Sequence, residues 1–114
     1  MQINNNYQPN FRAGKIDNYG LKALGKRLKG EQINKFVDRF KSRHQGSEYK
    51  ITLGSVPQQE GRLDAMITYG KKHFRYLEES ILSSCIFNPK NFMKKINKQI
   101  EKDLASIATK GYLI

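Results

Sequence analysis

Cysteine, acidic residues and long apolar runs are scarce in this chain, and each scarcity excludes a class of protein. Cys85 is the only cysteine among 114 residues, so an internal disulfide and a cysteine-based zinc site are excluded. Its apolar neighbours predict a thiol buried in the core. The longest apolar-looking stretch, Ile81–Phe87, contains two serines and is far shorter than the ~20 residues of a membrane helix. With no secretory pattern at the start of the chain, we expect a cytoplasmic protein that does not enter membranes.

The shortage of acidic residues leaves the chain strongly basic. Lysine and arginine number 21 against 10 aspartate and glutamate residues, which gives a formal net charge of +11. A positive field of this size attracts polyanions and makes nucleic acid the first partner to consider. Fifteen of the 21 basic residues are lysines, which suits point-charge contact with phosphate better than bidentate reading of bases. An AT-rich genome also enriches lysine, so codon usage is a second source of the charge.

Residue patterns for catalysis or metal binding are lacking as well. The two histidines, His44 and His73, have no second ligand at helical spacing, and we expect solvated or hairpin-lining side chains. The glycines match no phosphate-binding loop. Glu78 and Glu79 are adjacent, so on a strand they face opposite ways and make no acid–base pair. We therefore expect a non-enzyme without cofactor or metal. An enzyme acting on nucleic acid would have His73, Glu78 or Glu79 as its candidates.

Length predicts one domain, because 114 residues lie within the usual ~100–150-residue range. Residues 1–20 are interpreted as an extended arm, since asparagine, proline and glycine interrupt them. Residues 21–110 form the globular core in this interpretation, and residues 111–114 form a tail. The arm either adds an edge strand to a sheet or lies on the surface.

Hydrophobic periodicity predicts the elements of the core. Leucines spaced by three and four residues predict a short helix over Leu21–Leu28, and a stronger amphipathic helix follows over Glu31–Arg43. Apolar residues then alternate with polar ones in three successive runs, which predict an antiparallel meander: Tyr49–Leu53, Leu63–Tyr69 and His73–Leu77. Ser80–Phe87 fits either a helical turn or an extended segment.

The final helix has the clearest pattern in the chain. Asn88 suits its N-cap and Pro89 its first position. A single apolar stripe follows, made of Phe92, Met93, Ile96, Ile100, Leu104 and Ile107. We therefore predict an α+β fold, with an antiparallel sheet of three or four strands and two helices on one face. The order is α-β-β-β-α, preceded by a further β-strand if the arm contributes one.

Cations group into three patches, on the first helical region, on the hairpin and on the final helix. The residues that we expect to contact phosphate are Lys26, Arg27, Lys29, Lys71, Lys72, Arg75, Lys94, Lys95 and Lys98. They predict a non-enzymatic protein that binds RNA or a ribonucleoprotein surface. Ordinary solvated faces of amphipathic helices show the same pattern, so this assignment is a hypothesis.

Aromatic residues interleave with the cations of the hairpin. Phe74 and Tyr76 flank Arg75, and on an exposed sheet face their rings would stack on unpaired bases. We favour the alternative that both rings line the core together with Tyr69.

The layout resembles two families of RNA-binding domain. The opening Met1-Gln2-Ile3-Asn4, the hairpin Leu63–Glu79 and the helix Phe92–Leu104 together resemble the N-terminal domain of ribosome hibernation-promoting factors. Double-stranded-RNA-binding domains share the α-β-β-β-α core, and Lys94-Lys95 is similar to the basic start of their final helix. The resemblance implies a final helix packed on the sheet and RNA contacts from basic residues, here Lys90, Lys94, Lys95 and Lys98.

A protein-interaction module is the alternative function. Ile81–Phe87 and the tail Tyr112–Ile114 carry more apolar surface than so small a core needs. An inhibitor or adaptor would dock on an acidic protein partner through either segment, and self-association would leave the same pattern. The sequence therefore leaves the oligomeric state open.

Overall fold

A computed structural model describes residues 14–71, 73–86 and 88–110 of the chain. These residues form an α+β fold, with one four-stranded sheet and four helical segments. In chain order the elements are β1 (Gly14–Ile16), α1 (Asn18–Gly25), α2 (Glu31–His44), β2 (Tyr49–Ser55), β3 (Leu63–Tyr69), β4 (His73–Glu78), α3 (Ile81–Ile86) and α4 (Lys90–Lys110). The predicted α-β-β-β-α order is confirmed, and the arm does contribute a strand, β1. The short helix predicted from the leucine spacing is present as α1, and α3 is a further short helix beside the two long ones.

Strands β2, β3 and β4 form the antiparallel meander that alternation predicts. Ile51 lies opposite Ile67 across β2 and β3, and Ile67 lies opposite Arg75 across β3 and β4. The β3–β4 connection is a tight turn in which Gly70 has a φ of 67°, a backbone conformation that favours glycine. The register places alternate residues of all three strands on the same face of the sheet.

The first strand makes the sheet mixed rather than wholly antiparallel. β1 pairs in parallel with β2, with Gly14 opposite Ile51 and Ile16 opposite Leu53. Our expectation of an antiparallel sheet is wrong for this pair. The chain crosses back through α1 and α2 between the two strands, and such a crossover returns it in the same direction.

Helix α1 begins earlier than the leucine spacing predicts, at Asn18 rather than Leu21. The Asp17 carboxylate caps its first turn by accepting a hydrogen bond of 2.8 Å from the Gly20 amide. Gly20 also lets the helix lie directly on β2, since a Cβ atom there would stand 2.6 Å from the Leu53 carbonyl oxygen. The segment interpreted as an arm therefore includes the start of this helix.

One hydrophobic core joins the helices to one face of the sheet. Helix α1 contributes Ala23 and Leu24, and α2 contributes Phe36 and Phe40. The apolar stripe predicted for α4 is buried at Phe92, Ile96, Ile100 and Ile107. The strands add alternate residues, which are Tyr49, Ile51, Leu53, Leu63, Ala65, Ile67 and Tyr69. The opposite face of the sheet lies outside this core.

His44 is a core residue, contrary to the solvated side chain that we expected. Its ring is fully buried, and its Nδ1 shares a hydrogen bond of 2.7 Å with the Tyr49 hydroxyl. Phe40 packs edge-on against the same ring, and Gly14 of β1 approaches its Cβ. Burial, aided by the charge of Arg43, lowers the pKa of His44 to about 4. The sequence missed this burial because β1, which covers the end of α2, is only three residues long.

Residues 81–86 are helical, which decides between the two conformations that the sequence allowed. Ile81 and Leu82 at the start of α3 are 64% and 71% exposed. Cys85 is also exposed, like Ile81 and Leu82 on the same helix, so the expected core thiol is wrong. Phe87 and the tail Tyr112–Ile114 lie outside the described residues. Within the described ranges, no helix is both long and apolar enough to cross a membrane.

Candidate nucleic-acid interface

The sheet has one buried face and one exposed face, which we call the open face. Along β3, Leu63, Ala65 and Ile67 are buried, whereas Met66 between them is 40% exposed. The same alternation in β2 buries Ile51 and Leu53 and exposes Lys50. Two rows of side chains cross the open face in register: Lys50, Thr68 and Phe74, then Lys15, Thr52, Met66 and Tyr76.

Exposed aromatic rings are the distinctive feature of the open face. Phe74 is 69% exposed and Tyr76 41% exposed, so our prediction that both rings line the core is wrong. Tyr69, the third ring of that prediction, is buried as expected. The error is one of phase, because Arg75 lies opposite the buried Ile67 and therefore takes the core-facing position of β4.

The two ends of the open face, along the strand direction, carry side chains of opposite charge. At one end, the Tyr76 hydroxyl donates a hydrogen bond of 2.7 Å to Asp64, and Glu78 lies opposite Asp64 in the register. Burial raises the pKa of Asp64, and the negative charges of Asp17 and Glu78 raise it further. The hydrogen bond from Tyr76 acts in the opposite direction but does not outweigh them. Exposed lysines lie towards the other end, at Lys50 in β2 and Lys71 in the β3–β4 turn. The half of the open face around Phe74 is therefore the half suited to an anion.

Arg27, a predicted phosphate contact, is bound inside the protein. Its guanidinium donates a hydrogen bond to the fully buried Glu79 carboxylate, and its own side chain is only 12% exposed. Glu79 also accepts a 3.0 Å hydrogen bond from the Leu63 amide. This ion pair joins the loop after α1 to the residue that follows β4, and the bond from Leu63 joins the same carboxylate to the start of β3.

Arg75 is also paired within the protein. Its guanidinium binds both carboxylate oxygens of Asp103 on α4, at 3.1 and 2.7 Å. Tyr69 and Gln99 donate two further hydrogen bonds to the same carboxylate. Burial alone would raise the pKa of Asp103, but the hydrogen bonds from Arg75, Tyr69 and Gln99 outweigh it and lower that pKa. The pair fixes α4 to the edge strand β4.

Predicted lysines are more available than predicted arginines. Lys26 lies 3.3 Å from Glu60 in an exposed ion pair, and Lys95 donates a hydrogen bond of 3.1 Å to the Glu78 carbonyl. The remaining predicted lysines within the described ranges are exposed and have no ion pair there, namely Lys29, Lys71, Lys94 and Lys98. Lys72 lies outside the described residues.

The predicted residues do not converge on one surface. Arg27 and Lys95 each donate a hydrogen bond near the end of β4, Arg27 to the Glu79 carboxylate and Lys95 to the Glu78 carbonyl. Lys71 lies beyond the other end of that strand, about 17 Å away at ~3.4 Å per residue. Lys94 and Lys98 lie on the exposed side of α4, whose opposite side is packed in the core.

Sequence reasoning missed Lys15 and Lys50 as members of the open face. Lys50 was visible as the polar residue between Tyr49 and Ile51, but it was not connected with the aromatic residues of the hairpin. Lys15 stands out only as a cation of the first basic segment, because a three-residue strand is too short for alternation to indicate a face.

The carboxylates considered for catalysis are held in ion pairs. Glu79 pairs with Arg27, and Glu78 pairs with Arg62 at 3.1 Å. Within the described part of the chain, no group of histidine, cysteine, aspartate and glutamate side chains is arranged to hold a metal ion. What the arrangement offers chemically is therefore a surface of exposed rings and ammonium groups.

Comparison with known protein families, curated proteins and solved structures finds no match for this chain.

Proposed function

We propose that this protein is a non-enzymatic RNA-binding protein that holds unpaired bases on the open face and contacts phosphates with exposed lysines. The observation that carries the proposal is the position of Phe74, exposed on the open face in one row with Lys50. Two strand spacings separate the Cα atoms of these residues, about 10 Å. One nucleotide can thus stack its base on the ring while a lysine reaches its phosphate.

The spacing of the two rings supports contact with an unstacked strand. Phe74 and Tyr76 are two residues apart on β4 and therefore about 7 Å apart along the strand. That distance is about twice the 3.4 Å rise between stacked bases, so each ring has room for one base. The bond from Tyr76 to Asp64 fixes its ring in advance of binding.

Weak sequence preference follows from the division between arginine and lysine. Arg27, Arg62 and Arg75 are paired with carboxylates and are not free to read base edges with a bidentate fork. Arg39 and Arg43 have no ion pair within the described ranges, but they lie on α2 beside the core residues Phe36 and Phe40 and therefore away from the open face. Exposed lysines supply point charges, which bind phosphate without identifying the base. We expect affinity to depend on salt and on single-strandedness more than on sequence.

The resemblance to double-stranded-RNA-binding domains makes a different prediction about the same protein. It implies that Lys90, Lys94, Lys95 and Lys98 on α4 contact duplex RNA. Charge reversal at Lys94 and Lys98 would then weaken binding, whereas loss of the Phe74 ring would not. The two forms of RNA binding are separated by the ligand preferred and by the residues required.

The experiment compares a labelled single-stranded RNA 12-mer with the matching duplex by fluorescence anisotropy at 50 mM salt. Phe74→Ala should weaken single-strand binding about 5- to 150-fold, the equivalent of ~1–3 kcal/mol per stacked base. Leu82→Ala is the matched control, because it removes an equally exposed apolar side chain from α3. Equal affinity of the two variants, or tighter binding of the duplex, contradicts the proposal.

A protein-interaction module remains the second candidate, and the exposed start of α3 favours it. Ile81 and Leu82 present adjacent apolar side chains to solvent. An acidic protein or a second copy of the chain docking there would bury both. Leu82→Asp should abolish such a complex or dimer in sedimentation velocity, and truncation of residues 111–114 tests the tail in the same way. An unchanged sedimentation profile for both variants counts against this function.

A further inference from the structure

A groove runs between α2 and α4, well apart from the open face. We call it the α2–α4 groove; its main cavity measures about 570 Å³. Phe36, Phe40 and Met93 form its apolar floor, and the exposed side chains of Arg39, Arg43 and Lys90 form its rim. The size is typical of a binding pocket, which commonly measures about 300–1,000 Å³.

The groove is longer than its main cavity. A second cavity of about 290 Å³ shares Phe36, Arg39 and Lys90 with the first and extends it to Gln32. From Gln32 to Arg43 the groove follows α2 for about 16 Å, at 1.5 Å per residue. This is the length of about three helical turns, and it exceeds what a compact small molecule needs.

Cations repeat regularly along the groove. Lys35, Arg39 and Arg43 are spaced by four residues, so they form one row along α2 at intervals of about 6 Å. Across the described residues, none of the three has an ion pair. Asp38 is the only acidic residue that lines either cavity. A partner helix with a carboxylate at every fourth residue presents negative charges at the same interval of about 6 Å, and each can face one cation of the row.

A polar atom in the wall of the groove also lacks a partner. Asn97 lines the main cavity from α4, and its Oδ1 is buried without a hydrogen bond within the described structure. Buried polar groups are normally satisfied, so the wall of the groove contains an unsatisfied acceptor.

We propose that the α2–α4 groove binds an acidic amphipathic helix of a partner protein. The apolar side of the helix would cover Phe36, Phe40 and Met93, as in other helix-in-groove complexes, and its carboxylates would face the cationic row. A second copy of this chain is disfavoured, because each copy carries +11 and the groove is itself cationic. RNA is disfavoured because its phosphates and sugars leave an apolar floor unfilled.

The test is a selection from a displayed library of helices about 18 residues long. Isolated helices shorter than ~12–15 residues are only marginally stable in water, so this length allows a helix to form. Apolar anchors stand at i, i+3, i+4 and i+7, and the flanking positions vary among glutamate, lysine and glutamine. The full chain is the bait, and selected peptides are measured by fluorescence anisotropy. We expect enrichment of glutamate beside the anchors.

Charge reversal locates the site. The double variant Arg39→Glu with Arg43→Glu should bind the selected peptide about 30-fold or more weakly, because the new carboxylates then face the carboxylates of the peptide. The matched control is Lys41→Glu with Lys102→Glu, which makes the same change in net charge at exposed positions outside the groove and should cost less than about fivefold.

Three results would overturn the proposal. The first is selection of peptides without excess glutamate, and the second is equal loss of affinity in the two double variants. The third is binding of dodecanoate in the groove when no peptide is selected, since the occupant would then be a small anionic amphiphile. RNA binding by the open face uses other residues, so either proposal can fail alone.

Discussion

Acidification should destabilise this protein through one buried side chain, His44. In the folded chain the pKa of His44 is about 4, against 6.5 for an unperturbed histidine. Between these values the unfolded chain binds a proton that the folded chain does not, so the free energy of unfolding falls as the pH falls. The difference of 2.5 units, at ~1.36 kcal/mol each, corresponds to a loss of about 3 kcal/mol on going from pH 7 to pH 4. That is a large part of the ~5–15 kcal/mol that holds a typical domain folded.

His44→Phe is the perturbation that isolates this effect. Phenylalanine keeps a ring between Phe40 and Tyr49 but cannot bind a proton. Carboxyl groups titrate in the same range, and Asp64 and Asp103 have shifted pKa values in opposite directions. Their contributions are present in both proteins, so they cancel in the difference between the parent and the variant.

The assay is urea denaturation of both proteins at pH 7, 6, 5 and 4. The parent should lose about 3 kcal/mol more than His44→Phe between the first and the last pH. Parallel stability curves for the parent and His44→Phe would refute the burial of a neutral His44.

Two further substitutions test the packing around the sheet. Gly20→Ala places a Cβ atom 2.6 Å from the Leu53 carbonyl oxygen and should cost about 2–3 kcal/mol, measured by thermal denaturation. Gly25→Ala is its control, since nothing lies within 4 Å of the added atom, and it should be neutral or stabilising. Asp103→Asn removes the charge that binds Arg75. It should lower the free energy of unfolding by about 2 kcal/mol, measured by urea denaturation at pH 7. This is less than the ~3–5 kcal/mol lost when one partner of a fully buried ion pair is removed, because Arg75 is partly exposed. No loss for Gly20→Ala or for Asp103→Asn would mean that α1 or α4 is held differently.

Periodicity predicted the elements whose patterns repeat several times. The stripe from Phe92 to Ile107 and the alternation of Leu63–Tyr69 leave little choice of conformation or of buried face. Strand β1 has no comparable pattern, because three residues complete only one period of alternation. Its parallel pairing and the burial of His44 beneath it therefore depend on contacts far apart in sequence.

The candidate site was harder to predict than the fold. On β4 the residues Phe74, Tyr76 and Leu77 are all apolar, so the pattern does not decide which face is buried. The face of β4 that packs against α4 depends on the ion pair between Arg75 and Asp103, which holds Arg75 on the core side of the sheet. For the same reason, sequence alone could not show that the predicted contacts Arg27 and Arg75 are paired internally while most predicted lysines are exposed.

The dependence of RNA affinity on salt tests the proposed function most directly. If Lys15, Lys50 and Lys71 each contact one phosphate, as we propose, RNA binding releases counterions with a slope near −0.7 per phosphate for a single strand, or about −2 in total. Affinity for the single-stranded 12-mer should therefore fall about 20-fold between 50 and 200 mM salt. Affinity that does not change over this range, or no binding at 50 mM, would contradict the account.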